Sequence, residues 1–387
     1  MAKELAFVLI NPIPVMKSRT GGILARYLVR TDLKLVGARM VGPSLELVQM
    51  FADHLEGQPD TEDNKLLADY VRRVYAPDPE TGLRRRCIFL LFEGEDAVRK
   101  IAEVTGKIKG CNSCGKSVRD TFGDRVTDPE TGRLIYFEPA VLIASTPSEG
   151  LSILKIWADF LPRDAGIVEA LSPACRKPGV ERTLVMLKPD NWKKPSLRAG
   201  AIIDLLSNTE LELIGMKKFS MSVAQAERFY GPVKEGLKEV FGRFGASRSA
   251  EALSREFGFQ IEPRTLDSLV SLLAPLFAEQ EFEKIVQFMT GRAPSTCPPA
   301  EKELPGSEEC LALIYEGENA IRKVRDQLGA TNPLKARSGT IRSEFGTNIM
   351  VNAAHASDSP ENAKREMEIL DVENDPLFAE KIRTYIG

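Results

Sequence analysis

His355 is one of only two histidines in the chain, and the segment Asn352-Ala-Ala-His-Ala-Ser-Asp-Ser-Pro-Glu361 sets it four residues ahead of Ser359-Pro360. That pair reads as the N-cap and first turn of a helix. Imidazole ordinarily titrates near about 6.5, so a ring held beside the N–H groups of a helix start can serve as nucleophile or general base toward an anion. Read alone, the same histidine also fits a plain turn cap. Three cations point toward chemistry: Lys188 at the end of an apolar strand, Arg325 in a charged helix, and Arg342 in the run Gly339-Thr-Ile-Arg342. Phosphoryl transfer needs little beyond positioning and neutralisation of spread negative charge, which Lys and Arg supply. The runs Lys193-Lys194 and Arg84-Arg-Arg86 lack such a setting and read as solvated faces.

The elements that must position these residues occur twice. Ala6-Phe-Val-Leu-Ile-Asn-Pro12 lines up with Thr183-Leu-Val-Met-Leu-Lys-Pro189, each a short apolar strand ended by proline. A helical stretch follows in each copy (Gly22–Leu28; Ala201–Leu206), then a second strand, Leu33–Gly37 or Leu211–Gly215. Cys87–Glu95 matches Cys310–Glu318, and Ser117–Gly123 falls on the run ending at Gly346, both at an offset of 223. The unit reads strand-helix-strand-strand-helix-strand, a split βαβ arrangement on a mostly antiparallel sheet, hence an α+β fold. An Ile349-Met-Val strand is expected just before the histidine. The first copy spans 1–171 and the second 180–387, joined through the Pro- and Gly-containing Ser172–Gly179. The first copy has an extra stretch before Ile143, including Asp128–Gly132, whose turn chemistry suggests a long loop, and Tyr75–Gly82 and Ala293–Pro305 read as surface loops.

Composition narrows the function. With 52 Lys plus Arg against 55 Asp plus Glu, the formal charge is −3, which argues against a protein that coats nucleic acid or anionic membrane. No stretch approaches the length of a membrane span, and Leu5–Ile10 is too short for the apolar core of a secretory signal. Six cysteines in 387 residues do not form a disulfide framework, so a cytoplasmic location is expected. Cys111-Asn-Ser-Cys114 is a lone CxxC without a second ligand pair and reads as a solvated loop rather than a zinc or redox site.

Lys188-Pro-Asp190, Gly329-Ala-Thr-Asn-Pro-Leu-Lys-Ala-Arg-Ser-Gly-Thr-Ile-Arg342 and Asn352-Ala-Ala-His-Ala-Ser-Asp-Ser359 together resemble the signature of nucleoside diphosphate kinases. The resemblance covers about 180 to 370 and, weakly, about 4 to 160. It implies two tandem ferredoxin-like domains and a ping-pong transfer: His355 takes the γ-phosphate of ATP or another nucleoside triphosphate, then passes it to a nucleoside diphosphate. By position, Lys188, Tyr230, Arg325, Thr331, Arg342 and Asn352 match the family's nucleotide contacts, and Ile349 its apolar residue beside the base. Glu366 matches the carboxylate that orients the histidine, with Ser357 nearby. Independently, Glu366 lies seven residues after Ser359, about two helical turns on, and so projects from the same face as the helix start. Mg²⁺ is expected to arrive on the phosphates, needing few protein ligands.

The chain also departs from the family. A helical insertion at about 235–285, with an amphipathic stretch at Arg264–Leu273, replaces the short hairpin that walls the base pocket. It leaves Glu281 where the family has its base-stacking phenylalanine, and Phe282 is the candidate substitute. The first copy has lost its chemistry: Asn11 stands at the lysine, Ala102 at the helix arginine and, aligned through Ala144-Ser145, Ile143 at the histidine; only Arg119 survives. The repeat suggests an internal pseudo-dimer, open to further homo-oligomerisation. The alternative is a catalytically weak, nucleotide-binding regulatory or scaffold protein.

Overall fold

The structure, a computed structural model, describes residues 3–58, 62–108, 115–172 and 175–387. The Cys111–Cys114 motif therefore lies outside the described residues. The chain divides into two compact units, one of residues 1–219 and 310–387 and one of residues 220–309.

In the first unit the continuous apolar runs become strands buried on both faces, as expected for runs that do not alternate. The strands of the first copy are β1 (Glu4–Ile10), β2 (Lys34–Val41), β3 (Cys87–Gly94), β4 (Asp124–Thr127), β5 (Leu134–Glu138) and β6 (Val141–Leu142). Those of the second are β7 (Val180–Leu187), β8 (Glu212–Phe219), β9 (Cys310–Glu318) and β10 (Ala354–Ala356). Eight of them make one sheet in the order β10-β7-β9-β8-β2-β3-β1-β6, with antiparallel pairing throughout. The repeat is visible to the level of backbone detail. β2 shifts register between Leu35 and Gly37 and β8 between Leu213 and Gly215. Asp96 and Asn319, with φ of 52° and 55°, open matching helices.

The copies meet where Arg39 of β2 pairs with Lys217 of β8. Beside this joint the helices Thr20–Arg30 and Arg198–Ser207 pack closely through glycine. A Cβ on Gly21 would lie 2.4 Å from the Gly200 carbonyl, and one on Gly200 2.3 Å from that of Gly21. Larger residues at this crossing would force the helices apart. The compact units thus do not follow the two copies, because edge pairing merges both half-sheets over one core.

Two local expectations are corrected. The 124–138 stretch is a β4–β5 hairpin rather than a loop, with the Asp128 carboxylate accepting from the N–H groups of Glu130 and Thr131 across its turn. Ile349–Val351 is a bend rather than a strand. The Asn348 Oδ1 accepts from the N–H groups of Met350 and Val351 and diverts the backbone, leaving Ile349 61% exposed.

The second unit is helical: Val223–Tyr230, capped by Ser222, then Val233–Phe257 and Pro263–Thr290. The two long helices pack on each other, and Phe277 sits 5.0 Å from Phe241 and 5.7 Å from Phe244 between ring centroids.

Candidate functional site

His355 is the middle residue of β10, paired with Met186 of β7. The strand ends at Ala356, and Ser359 then caps the Pro360–Ile369 helix by accepting from the Asn362 N–H. This short connection brings Glu366 back under the histidine. Its Oε2 lies 3.0 Å from His355 Nε2 and accepts a 2.6 Å hydrogen bond from the Ser357 hydroxyl. Arg365 adds a cation 3.7 Å from Oε1. Glu366 is 4% exposed, so its carboxylate is held by these partners rather than by water. A carboxylate facing Nε2 selects the tautomer with the proton there, which places the ring's lone pair on Nδ1.

The cations converge on the same strand end. Lys188 Nζ donates to Asn352 Oδ1 at 2.8 Å and to the Met350 carbonyl at 3.1 Å. Burial holds the Lys188 ammonium down at about 8, with Arg342 adding to the effect and Asp190 opposing it. Asn352, 1% exposed, donates through Nδ2 to the carbonyls of Thr331 and Ile349. Arg342 spans the Gly329 and Ala354 carbonyls at 2.9 and 3.1 Å. Arg325, Thr331, Arg342 and Ala356 line a cavity of about 120 Å³ next to His355. This basic recess beside a nucleophilic ring is built for phosphate oxygens. Among the described residues no three His, Cys, Asp or Glu side chains gather to hold a metal.

The family model for nucleoside diphosphate kinase matches residues 181–249 and 299–374, on either side of the inserted Pro263–Thr290 helix. The nucleoside diphosphate kinase of Campylobacter jejuni subsp. jejuni serotype O:2 is 33% identical over 189 residues, 49% of this chain and 93% of that protein. The chain belongs to the nucleoside diphosphate kinase family. The protein of that name from Helicobacter pylori strain Shi470 is 31% identical over 187 residues, 48% of this chain and 92% of its own. A solved structure of the Aquifex aeolicus nucleoside diphosphate kinase is 27% identical, covers 51% of this chain and 97% of that one, and has a TM-score of 0.31.

The kinase-like site of the second copy has a disarmed counterpart in the first, and the strand register corrects which residues correspond. Leu9 pairs with Leu142 as Met186 pairs with His355, so Leu142, not Ile143, stands in the histidine's place. Alignment through Ala144-Ser145 followed a dipeptide identity, whereas the caps Thr146-Pro147 and Ser359-Pro360 fix the true spacing. A one-residue slip matters in a strand because it turns the side chain to the other face. In this register Ala144 replaces Ser357 and Ile153 replaces Glu366, so every member of the relay is an apolar, buried residue. Arg119 survives for a structural reason. It spans the Gly106 and Val141 carbonyls as Arg342 spans Gly329 and Ala354. The matching cavity, about 870 Å³, is lined by Glu4, Asp63, Asp96 and Glu103 as well as Arg99, Lys107 and Arg119, whereas among the described residues the only charged ones lining the second copy's recess are arginines, so the first copy's lining suits a polyphosphate less well.

Tyr230 belongs to the 220–309 unit, where it is 6% exposed with its ring centroid 4.9 Å from that of Phe229. Phe282, of the same unit, is 3% exposed with Lys234 over its ring, a core position. Two residues escaped the sequence reading. Asn191 Nδ2 donates to the Ala353 carbonyl at 2.7 Å and steadies that residue at φ 69°, an uncommon conformation for alanine. Arg198 ties Asp190 to the Phe345 carbonyl. The polar run after Lys188-Pro was the available signal.

Proposed function

We propose that the chain is a nucleoside diphosphate kinase whose chemistry runs only in the second copy. The Ser357–Glu366–His355 relay beside the cationic recess carries this reading. Nδ1 of His355 attacks the γ-phosphorus of a nucleoside triphosphate, a P–N bond forms, the bond from phosphorus to the β,γ-bridging oxygen breaks, and the diphosphate leaves with the bridging oxygen. In the second half, a β-phosphate oxygen of an acceptor diphosphate attacks the same phosphorus and breaks the P–N bond. Glu366 keeps the proton on Nε2 and stabilises the positive charge the ring gains, while Ser357 fixes the carboxylate. Lys188, Arg325 and Arg342 face the phosphates, Asn352 and Thr331 hold the loop around them, and exposed Ile349 offers an apolar contact to the base. When bound with the nucleotide, Mg²⁺ supplies further neutralisation of phosphate charge.

The same reading makes the joined sheet an internal pseudo-dimer of an active and an inactive copy. No described helix is long and apolar enough to cross a membrane. Cys87, Cys175, Cys297 and Cys310 carry thiols rather than disulfides, in keeping with a reducing cytoplasm.

The test is incubation with γ-labelled ATP and Mg²⁺, followed by a chase with a nucleoside diphosphate. Acid-labile, base-stable label is expected on wild type and not on His355→Ala, and the diphosphate should remove it. Nucleotide binding without label on wild type would establish the regulatory alternative instead.

A further inference from the structure

The mechanism assigns nothing to the segment between the Pro360–Ile369 helix and the C-terminal helix Pro376–Ile386, yet two buried cations converge on it. Lys217 Nζ donates to the carbonyls of Leu370, Asp371 and Asn374 at 3.1, 2.8 and 2.6 Å. Arg39 donates to those of Val372 and Glu373 at 3.0 and 2.9 Å. These are the two residues whose pairing joins the copies. Arg39 is 1% exposed and Lys217 9%. Burying both ammonium and guanidinium is costly, and burial pushes the pKa of each down, with the Asp371 and Asp375 carboxylates, and Glu373 at Arg39, opposing it. A sheet joint by itself needs no charge there.

The five carbonyls lie at and just beyond the end of the helix that carries Glu366. The helix's own last carbonyls are taken by backbone N–H groups, Leu370 to Glu366, Val372 to Met367 and Asp371 to Glu368, so the two cations bind the C-cap carbonyl and the turn beyond it, where they also meet the negative end of the helix dipole. Leu370 N–H donates to the Glu366 carbonyl at 3.1 Å, so the clamped turn and the carboxylate residue are one helical turn apart, about 6 Å. Beyond the clamp the chain lands on the first copy. The Phe378 ring meets Phe89 at 5.9 Å, Lys381 donates to the Val36 carbonyl at 2.8 Å, and a Cβ on Gly37 would come within 2.5 Å of the Phe378 ring.

We propose that Arg39 and Lys217 are positioning residues for Glu366, so that the first copy, empty of chemistry itself, sets the helix that orients His355. This rests on His355 being the phosphoryl acceptor. The inactive copy thereby gains a defined role, since Arg39 supplies two of the five hydrogen bonds that the buried cations make to the 370–374 turn.

The test uses the full chain with Arg39→Met, Lys217→Met, the conservative Arg39→Lys, and Glu366→Gln as the reference. The chain has two histidines, so ¹⁵N-histidine NMR gives one ring for His54 and one for His355. In both Met variants the His355 nitrogen signals should move toward those of Glu366→Gln while His54 stays put, and Arg39→Lys should recover most of the wild-type pattern. The rate of His355 phosphorylation should fall about 10- to 100-fold with nucleotide KM changed less than about twofold, as for a catalytic group misplaced by about 1 Å. In a Glu366→Gln background, Arg39→Met should cost nothing further. If Arg39→Met does not fold, Lys217→Met and Arg39→Lys decide the matter. His355 signals coinciding with wild type, or a loss that adds in full to that of Glu366→Gln, would overturn the proposal. Absence of label on the wild type would instead overturn the kinase reading, and the NMR comparison would still judge the clamp.

Discussion

Lys188 gives the kinase a pH dependence that can be worked from the site. Burial is the main reason its ammonium sits at about 8 rather than 10.5, with Arg342 contributing. The native pKa is below the unfolded one, so the unfolded chain binds more protons between these values. The resulting cost, about 2.5 pH units at about 1.4 kcal/mol each, or about 3 kcal/mol, is fully present below about 8. It is relieved as pH rises from about 8 to about 10.5. Binding behaves oppositely, because a polyphosphate needs the charged form. At pH about 7 roughly nine in ten free sites hold Lys188 protonated, and at pH about 9 roughly one in ten. The Kd for ADP should therefore be flat near neutrality and rise about tenfold per pH unit above about 8, until the pKa of the complex is reached. Calorimetric titration of ADP between about pH 7 and about pH 9.5 would show this. Lys188→Gln should bind ADP more weakly and lose the slope, having no side chain that takes up a proton on binding. A flat wild-type profile over this range, or the same slope in Lys188→Gln, would refute the reasoning.

Glu366→Gln replaces a charge-assisted acceptor at His355 Nε2 by a neutral one, and hydrogen bonds to charged groups contribute about 1.5–3 kcal/mol. His355 phosphorylation in single-turnover experiments should slow about 10- to 100-fold with the nucleotide Kd unchanged, since Glu366 touches His355, Ser357 and Arg365 rather than the phosphate cations. A rate within about twofold of wild type would exclude the relay. In the first copy, Tyr70→Phe removes the 2.6 Å donor to Glu138 Oε2, leaving a carboxylate that is 1% exposed short of a partner. Urea unfolding should report a loss of about 1–3 kcal/mol. An unchanged midpoint would mean that the carboxyl is adequately held by Asn11 and the Ala140 N–H alone.

Much of the fold was legible because its signals are local. Apolar runs ended by proline, the Ser359-Pro360 cap and the two-turn spacing to Glu366 depend on neighbours within a few residues, and the structure shows each where the sequence put it. The register of the first copy was not legible, since Ala144-Ser145 matched a dipeptide while hydrogen bonding from β1 sets the spacing. Ile349–Val351 has strand composition, but one Asn348 side chain overrides it. Nothing in the sequence around Arg39 and Lys217 sets them apart from other charges. Their significance appears only when residues more than 150 positions away bring carbonyls onto them. Such contacts leave no mark in periodicity.

The pattern of loss in the first copy bears on why it persists. Histidine, serine and glutamate are replaced there by Leu142, Ala144 and Ile153, three residues that pack into core, while the arginine that ties two loops is kept. At the position of Lys188, Asn11 donates to Glu138 and accepts from the Tyr75 hydroxyl in a buried polar network. Each change replaces a group poised to meet a ligand with one satisfied by protein, which favours stability over function. The surfaces that face the second copy keep features that packing with it demands: Gly21 at the helix crossing, Gly37 under Phe378, Arg39 at the joint. A platform that must present them to its active twin requires them, and this is the role in which the clamp on 370–374 places the first copy.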